Sequence, residues 1–275
     1  MRRIFLNSLL GKLYSHAYQN RIGNKKKNIR IKDEILFINN KLNNEKVVLN
    51  GPFKGMRYLD ESSGSALLPK IMGSYELPIQ NWILEIPKKK YSYIIDLGSA
   101  EGYYTTGLSI ISKTNIIGVE VNKNAIELNK KLLSLNKDKL KGQVQFINKQ
   151  LKSRDLNDIL SHKNCLLICD IEGDELELLD PNAVPNLLKT DIIFEAHDVF
   201  RFGILYTMIE RFMLSHKIEI QPDYPRSASQ FLQLNNLTNS EKKLVLDERR
   251  PMGMSWVRLT AFKEEIIIPD NWQKN

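Results

Sequence analysis

Tyr93-Ile-Ile-Asp96-Leu97-Gly98-Ser99-Ala100-Glu101-Gly102-Tyr103-Tyr104 is the stretch on which the reading of this chain turns. A short apolar run rich in β-branched residues ends in an acid, and a glycine-bearing turn follows at once. Residues 103–112 then space their apolar side chains for a helix. A buried strand that passes into a helix through a tight turn puts that turn at the carboxyl end of a parallel sheet, where α/β folds bind ligands. Gly98 lets the chain turn sharply and lets a ligand approach the backbone. Gly102 stands at the helix entrance, where close packing or close approach is required.

The spacing is Gly-x-x-x-Gly. A dinucleotide pyrophosphate site uses Gly-x-Gly-x-x-Gly, with its phosphates on a helix N-terminus. Here a carboxylate, Asp96, precedes the loop, which suits a cationic part of a ligand such as the amine of S-adenosylmethionine. A second acid, Glu120, ends the run Ile116-Ile-Gly-Val-Glu120, 22 residues beyond Gly98. An acid at that place accepts hydrogen bonds from the vicinal hydroxyls of a ribose. Strand-end acids also serve as helix caps, and the pair at this spacing is more specific than either acid alone.

Outward from the motif, β-rich runs alternate with helical ones. Strands are expected at 93–97, 115–121, 144–147, 166–170, 191–196, 217–221 and 254–262, with helices at 103–112, 123–136 and 203–215 and helical material up to about residue 189. Repeated βα units predict an α/β, Rossmann-like, doubly wound sheet. The last two strands are expected to pair antiparallel at one edge. Upstream, Ile4, Phe5, Leu6, Leu9, Leu10, Leu13, Tyr14 and Ala17 predict an amphipathic helix over 3–20. A basic loop over 21–30, a short helix over 31–44, a strand–turn–strand from Val47 to Tyr58 and a helix over 77–86 follow. The chain therefore divides into a basic helical arm with a β/lid extension, 1–90, and a ligand-binding domain, 91–275.

The 275 residues carry a net charge of +8, and residues 1–50 hold all of it, with 11 Lys/Arg against 3 Asp/Glu. The remainder is neutral, whereas a nucleic-acid enzyme more often spreads basic residues over its active-site face. The arm suits peripheral contact with an anionic membrane surface, an acidic partner or a homo-oligomer interface; a solvated basic helix is the plain alternative. No apolar run reaches 18 residues, and Cys165 and Cys169 fall within one apolar run. These features predict a cytoplasmic protein with no membrane span.

At these residues the chain resembles the class I S-adenosylmethionine-dependent methyltransferases, and more narrowly the FkbM-type family. The likeness lies in Ile95-Asp-Leu-Gly-Ser-Ala-Glu-Gly-Tyr-Tyr104, Gly118-Val-Glu120, and Cys169-Asp-Ile-Glu-Gly-Asp-Glu175. In the last of these Asp170, Glu172, Gly173 and Glu175 match an Asp-x-Glu-Gly-x-Glu pattern. It covers roughly residues 90–200, with a weaker likeness in Arg249-Arg-Pro-Met-Gly-Met-Ser-Trp-Val257. The resemblance implies a seven-stranded sheet whose last strand is antiparallel. It also implies S-adenosylmethionine as cofactor, held by Asp96, Gly98, Ser99, Ala100, Gly102, Tyr103, Glu120 and Asp170, and O-methylation of a sugar, glycolipid or polysaccharide precursor, or natural product.

Methyl transfer is chiefly a matter of alignment, and a hydroxyl acceptor gains from a base or a metal. The ends of the fourth and fifth strands offer Asp170, Glu172, Asp174 and Glu175, and Glu195, His197 and Asp198. His197 is expected as general base, since an unperturbed imidazole titrates near neutrality, with Asp170 and Glu172 positioning acceptor or cofactor. The plain alternatives are a structural histidine and a capping acid pair. No residue is assigned to a metal outright; Mg²⁺ on Asp170, Asp198 and a neighbour is a further option. Neither Asp/Asn-Pro-Pro-Tyr/Phe after the fourth strand nor a Pro-Cys nucleophile occurs, so nucleic acid is the less expected substrate. The competing readings are a methyltransferase of RNA or protein, an NAD(P) oxidoreductase, and a non-catalytic Rossmann-like scaffold.

Overall fold

The computed structural model describes residues 24–42, 46–161, 164–251 and 253–262. The amphipathic helix expected over 3–20 lies outside them. Helix α1 (Asn24–Lys41) and the short helices α2 (Leu67–Met72) and α3 (Gln80–Glu85) precede the repeat. The repeat runs β1 (Tyr93–Leu97), α4 (Tyr103–Ile111), β2 (Asn115–Val119), α5 (Lys123–Leu135), β3 (Val144–Ile147), α6 (Ser153–Ile159), β4 (Cys165–Cys169), α7 (Glu175–Leu178), β5 (Asp191–Ala196), α8 (Ile204–Phe212), β6 (His216–Pro222), α9 (Asn239–Leu246) and β7 (Ser255–Ala261).

The seven strands form one sheet in the order β3-β2-β1-β4-β5-β7-β6. The first five are parallel, and β7 is antiparallel to both β5 and β6. This is an α/β, Rossmann-like, doubly wound sheet of seven strands with the last one antiparallel, as expected. The order reverses at β1, whose partners are β2 and β4, and a switch point of this kind opens the ligand crevice of such a sheet.

Alternation along each strand divides the core between two faces. Ile94, Ile116, Leu166, Ile168 and Ile193 pack in one cluster; Ile95, Leu97, Ile117, Val119, Leu167, Cys169, Ile192 and Phe194 pack in the other. The first face is covered by the upstream segment, through Val48, Phe53, Met56, Leu67, Leu68, Ile71, Ile79 and Ile83. One core thus runs across residue 90, and the change there is one of chain architecture. Phe53 lies so close to α4 that a Cβ on Gly107 would meet its ring at 2.5 Å.

Two upstream expectations are corrected, and one downstream helix had no readable signal. The polar stretch from Asn24, read as loop, is helical, because α1 is one continuous helix through Lys41. Val47 and Arg57 form a single antiparallel bridge where two strands were expected, and the tight turn between them, with Gly51 and Gly55 at positive φ, is tied by Val48 N to Met56 O and Gly55 N to Val48 O. Helix α9 lies inside 222–250, where too few apolar residues recur for a period to be read; a Thr238–Glu241 capping box starts it.

Candidate active site

The carboxyl ends of β1, β2, β4 and β5 border one crevice of about 1090 Å³. Its floor is the turn after β1. The amides of Gly98 and Ser99 both donate to Val119 O at 3.0 Å, which ties the turn to β2. Gly98 has φ +86°, and a Cβ there would stand 1.7 Å from Asp170 O, so the turn presses against the end of β4. Ala100, at φ +45°, donates its amide to Glu120 Oε2 at 2.9 Å. The other Glu120 oxygen takes the amide of Asn122 at 2.7 Å.

Asp96, Gly98, Ser99, Ala100, Tyr103, Glu120, Asp170, Glu172 and His197 all line this crevice. Gly102 does not. A Cβ there would meet Asn129 Oδ1 at 2.1 Å, so its lack of a side chain serves the packing of α5 behind the loop. Asn129 is buried and donates to Ser99 Oγ at 3.2 Å and Thr105 Oγ1 at 3.3 Å. Asp96 accepts from Thr105 Oγ1 at 2.5 Å. Burial nevertheless raises its carboxyl to about 7, against the pull of that bond.

Between the motif residues sits Glu101, fully buried, to which sequence reasoning gave no role. It is ion-paired to the buried Lys70 and accepts from Tyr58 Oη at 2.6 Å, Ser62 Oγ at 2.8 Å and the Ser63 amide at 3.0 Å. Burial works to raise its carboxyl, and Lys70 with these donors brings it below its ordinary value.

At the other end, Glu195 is the penultimate residue of β5, which ends at Ala196, and His197 follows at once. His197 is 2% exposed, its ring stacked on Phe200 with centroids 5.6 Å apart. Glu175 Oε1 lies 2.7 Å from His197 Nδ1. Nε2 lies 3.4 Å from Asp170 Oδ1 and 3.5 Å from Glu195 Oε2. Burial would lower the imidazole, but Glu175, Glu195 and Asp170 together raise it to about 10. These carboxylates favour the protonated ring, which counts against His197 as a free general base.

Glu172 has φ +58° and an exposed side chain on the crevice rim, so Glu175 is the acid that meets His197. Asp198 caps α8 instead of joining Asp170, accepting from the Gly203 amide at 2.9 Å and the Leu205 amide at 3.1 Å. The Mg²⁺ set built on Asp170 and Asp198 is thereby corrected. Glu195 is raised to about 8 by burial, in spite of its ion pair with Arg250.

Arg250 also binds Glu76 at 2.5 Å and Glu248 at 2.7 Å, and Glu248 is paired with Arg226. The end of the 222–250 segment thus closes over the crevice. Strand alternation puts Glu195 and His197 on one side of the strand end, a signal available in the sequence. No periodicity marks Glu76, Glu248 or Arg250, whose meeting depends on packing across the whole chain.

No protein-family model and no curated protein matches the chain. Among solved structures it is similar to an rRNA methylase from Streptococcus thermophilus, at 13% identity and a TM-score of 0.45 over 68% of this chain and 97% of that one. It is also similar to a tRNA (uracil-54, C5)-methyltransferase of Pyrococcus abyssi in complex with S-adenosyl-L-homocysteine, at 13% identity and a TM-score of 0.40 over 66% of this chain and 37% of that one. These likenesses concern the course of the chain and leave the substrate to the site itself. Among the described residues no helix is long and apolar enough to cross a membrane.

Three buried groups in the crevice share one consequence. Asp96 is raised from 3.8 to about 7, Glu195 from 4.5 to about 8, and His197 from 6.5 to about 10. A group raised on folding contributes its stability below its ordinary value and loses it as pH rises through its folded value. All three act in the same direction, so the ligand-free protein is expected to lose stability steadily between about pH 4 and pH 10. Urea midpoints across that range measure the slope. Asp96→Asn should flatten it below pH 7 and leave the rest unchanged; a slope equal in the variant and the parent would refute the assignment to Asp96.

Proposed function

We propose that this protein is an S-adenosylmethionine-dependent O-methyltransferase of the FkbM type, acting on a hydroxyl of a small molecule such as a sugar or glycolipid precursor. The observation that carries the proposal is the shared crevice. An acid-flanked turn with Asp96 and Glu120 occupies one end, and a cluster of buried ionisable groups occupies the other. Glu120, at the end of β2, suits the ribose hydroxyls, and Asp96 suits the cationic methionine end. Val121 and Leu151 offer apolar surface on the crevice wall for an adenine face. When bound, the cofactor supplies a methyl carbon on a positively charged sulfur.

The chain's own part is alignment of acceptor and methyl, with the Asp170 carboxylate, 32% exposed in the crevice, placed to take the acceptor's proton. Asp170 and Glu195 flank His197 at the floor of the acceptor end, and Glu76 and Arg250 stand beside them. Such closely packed donors and acceptors match a hydroxylated molecule. Buried carboxylates at that end oppose a polyphosphate backbone. The RNA reading has one feature in its favour, the +8 charge of residues 1–50. It predicts RNA affinity that falls steeply with salt.

Calorimetric titration with S-adenosylhomocysteine, with NAD as a parallel control, tests the cofactor reading. Binding of the first and none of the second is expected. Glu120→Ala should weaken S-adenosylhomocysteine at least about 10-fold, as each charge-assisted hydrogen bond lost costs about 1.5–3 kcal/mol. A folded protein that binds neither compound would end the proposal.

A further inference from the structure

We propose that Asp170, Glu195 and His197 form a binding site for one divalent metal ion between the ends of β4 and β5. One imidazole nitrogen and one oxygen from each carboxylate lie within 4.8 Å of one another. Nε2 of His197 stands 3.4 Å and 3.5 Å from the two oxygens. Those separations are too long for a good N–H···O bond. They match ligands that share one ion, since two donors each about 2.1 Å from a metal lie about 3.0–3.4 Å apart.

The surroundings of His197 point the same way. The ring is 2% exposed, and its Nε2 is aimed into the crevice with no hydrogen bond of ordinary length. Its Nδ1 is held at 2.7 Å by Glu175, a carboxylate with no exposure at all. A carboxylate on the far nitrogen is how metal-bound histidines are oriented and made better ligands.

Carboxylates also crowd this one ring from three sides, since Asp170, Glu175 and Glu195 all lie within 3.5 Å of it. A mixed nitrogen and oxygen set favours Mn²⁺, Co²⁺ or Zn²⁺ over Mg²⁺. Asp170, with 32% of its side chain exposed, is the ligand nearest the crevice, so the remaining positions of the ion open toward the acceptor end. If the methyl-transfer reading holds, an acceptor oxygen bound there is fixed in place and ionises more easily.

The test uses the full chain, stripped with EDTA and desalted. Mn²⁺ is titrated in, and the electron paramagnetic resonance signal of the free ion reports binding; Co²⁺ gives a visible spectrum on the unmodified protein. One ion per chain is expected. His197→Ala and Glu195→Gln should each weaken Mn²⁺ at least about 10-fold, and Glu175→Gln about 10-fold through its effect on the ring. Asp138→Asn, at an exposed pair with Arg57, should change nothing. A folded parent protein that binds neither Mn²⁺ nor Co²⁺ overturns the site. So does a folded His197→Ala variant with parental Mn²⁺ affinity. Abolition of Mn²⁺ binding by S-adenosylhomocysteine would assign the carboxylates to the cofactor's ammonium group and overturn it too. Mn²⁺ binding without S-adenosylhomocysteine binding supports the metal site while refuting the cofactor reading, so the two fail separately.

Discussion

Lys70→Met is expected to lower the unfolding free energy by about 3–5 kcal/mol, the cost of leaving a buried charge without its partner. Lys70 is 2% exposed and Glu101 has no exposure, so water cannot replace the lost ammonium. Three donors remain on the Glu101 carboxylate, from Tyr58, Ser62 and Ser63. They supply hydrogen bonds but no compensating charge, and burial then pushes the carboxyl up until it takes a proton. Glu101 sits between Ala100 and Gly102 in the turn that floors the crevice, so affinity for S-adenosylhomocysteine should fall along with stability. Urea unfolding of the single variants and of Lys70→Met/Glu101→Gln closes a double-mutant cycle. The double variant should recover much of the loss, because it removes the charge that the single variant strands. A loss below about 1 kcal/mol in Lys70→Met would show that Glu101 is solvated or held neutral, against the structure.

That ion pair also marks the limit of what the sequence discloses. The strands at 93–97, 144–147 and 191–196 are legible to the residue, because short β-branched runs between turn signals have only one place to go in a doubly wound sheet. The β1–β2 side of the crevice is legible for the same reason: Asp96, Gly98 and Glu120 lie at strand ends, where chain order alone determines that they meet. The β4–β5 side is not. His197 and Asp170 could be placed at strand ends, but the state of His197 depends on Glu175, Glu195 and Asp170 standing around it in space. Asp198 follows His197 directly and yet turns away to cap α8, a choice made by the Gly203–Leu205 backbone. Glu76, Lys70 and Arg250 come from segments with no readable period, and their roles follow from the upstream layer sharing one core with the sheet.

Gly98→Ala is expected to abolish cofactor binding and to cost about 3 kcal/mol or more in stability, combining a left-handed backbone with a steric collision. The backbone at Gly98 has φ +86°, where a Cβ alone costs about 1–2 kcal/mol. The larger obstacle is the neighbour. The Cβ would lie 1.7 Å from Asp170 O and 2.8 Å from Asp170 C, both main-chain atoms at the end of β4. No rotamer change relieves that contact. The ends of β1 and β4 must part, although Leu97 and Cys169 are paired there in the sheet. Parting them moves Asp170 away from His197 and tilts the turn that presents Ala100 to Glu120, so both ends of the crevice suffer from one methyl group. Calorimetry with S-adenosylhomocysteine should show at least a 100-fold loss, roughly 2.7 kcal/mol or more. Ala100→Gly is the matched control. Ala100 already holds φ +45° with its Cβ in place, so its removal relieves strain and should leave stability within about 1 kcal/mol of the parent. If Gly98→Ala bound S-adenosylhomocysteine as the parent does, the close approach of the turn to β4 would be wrong, and with it the placement of Asp170 in the crevice.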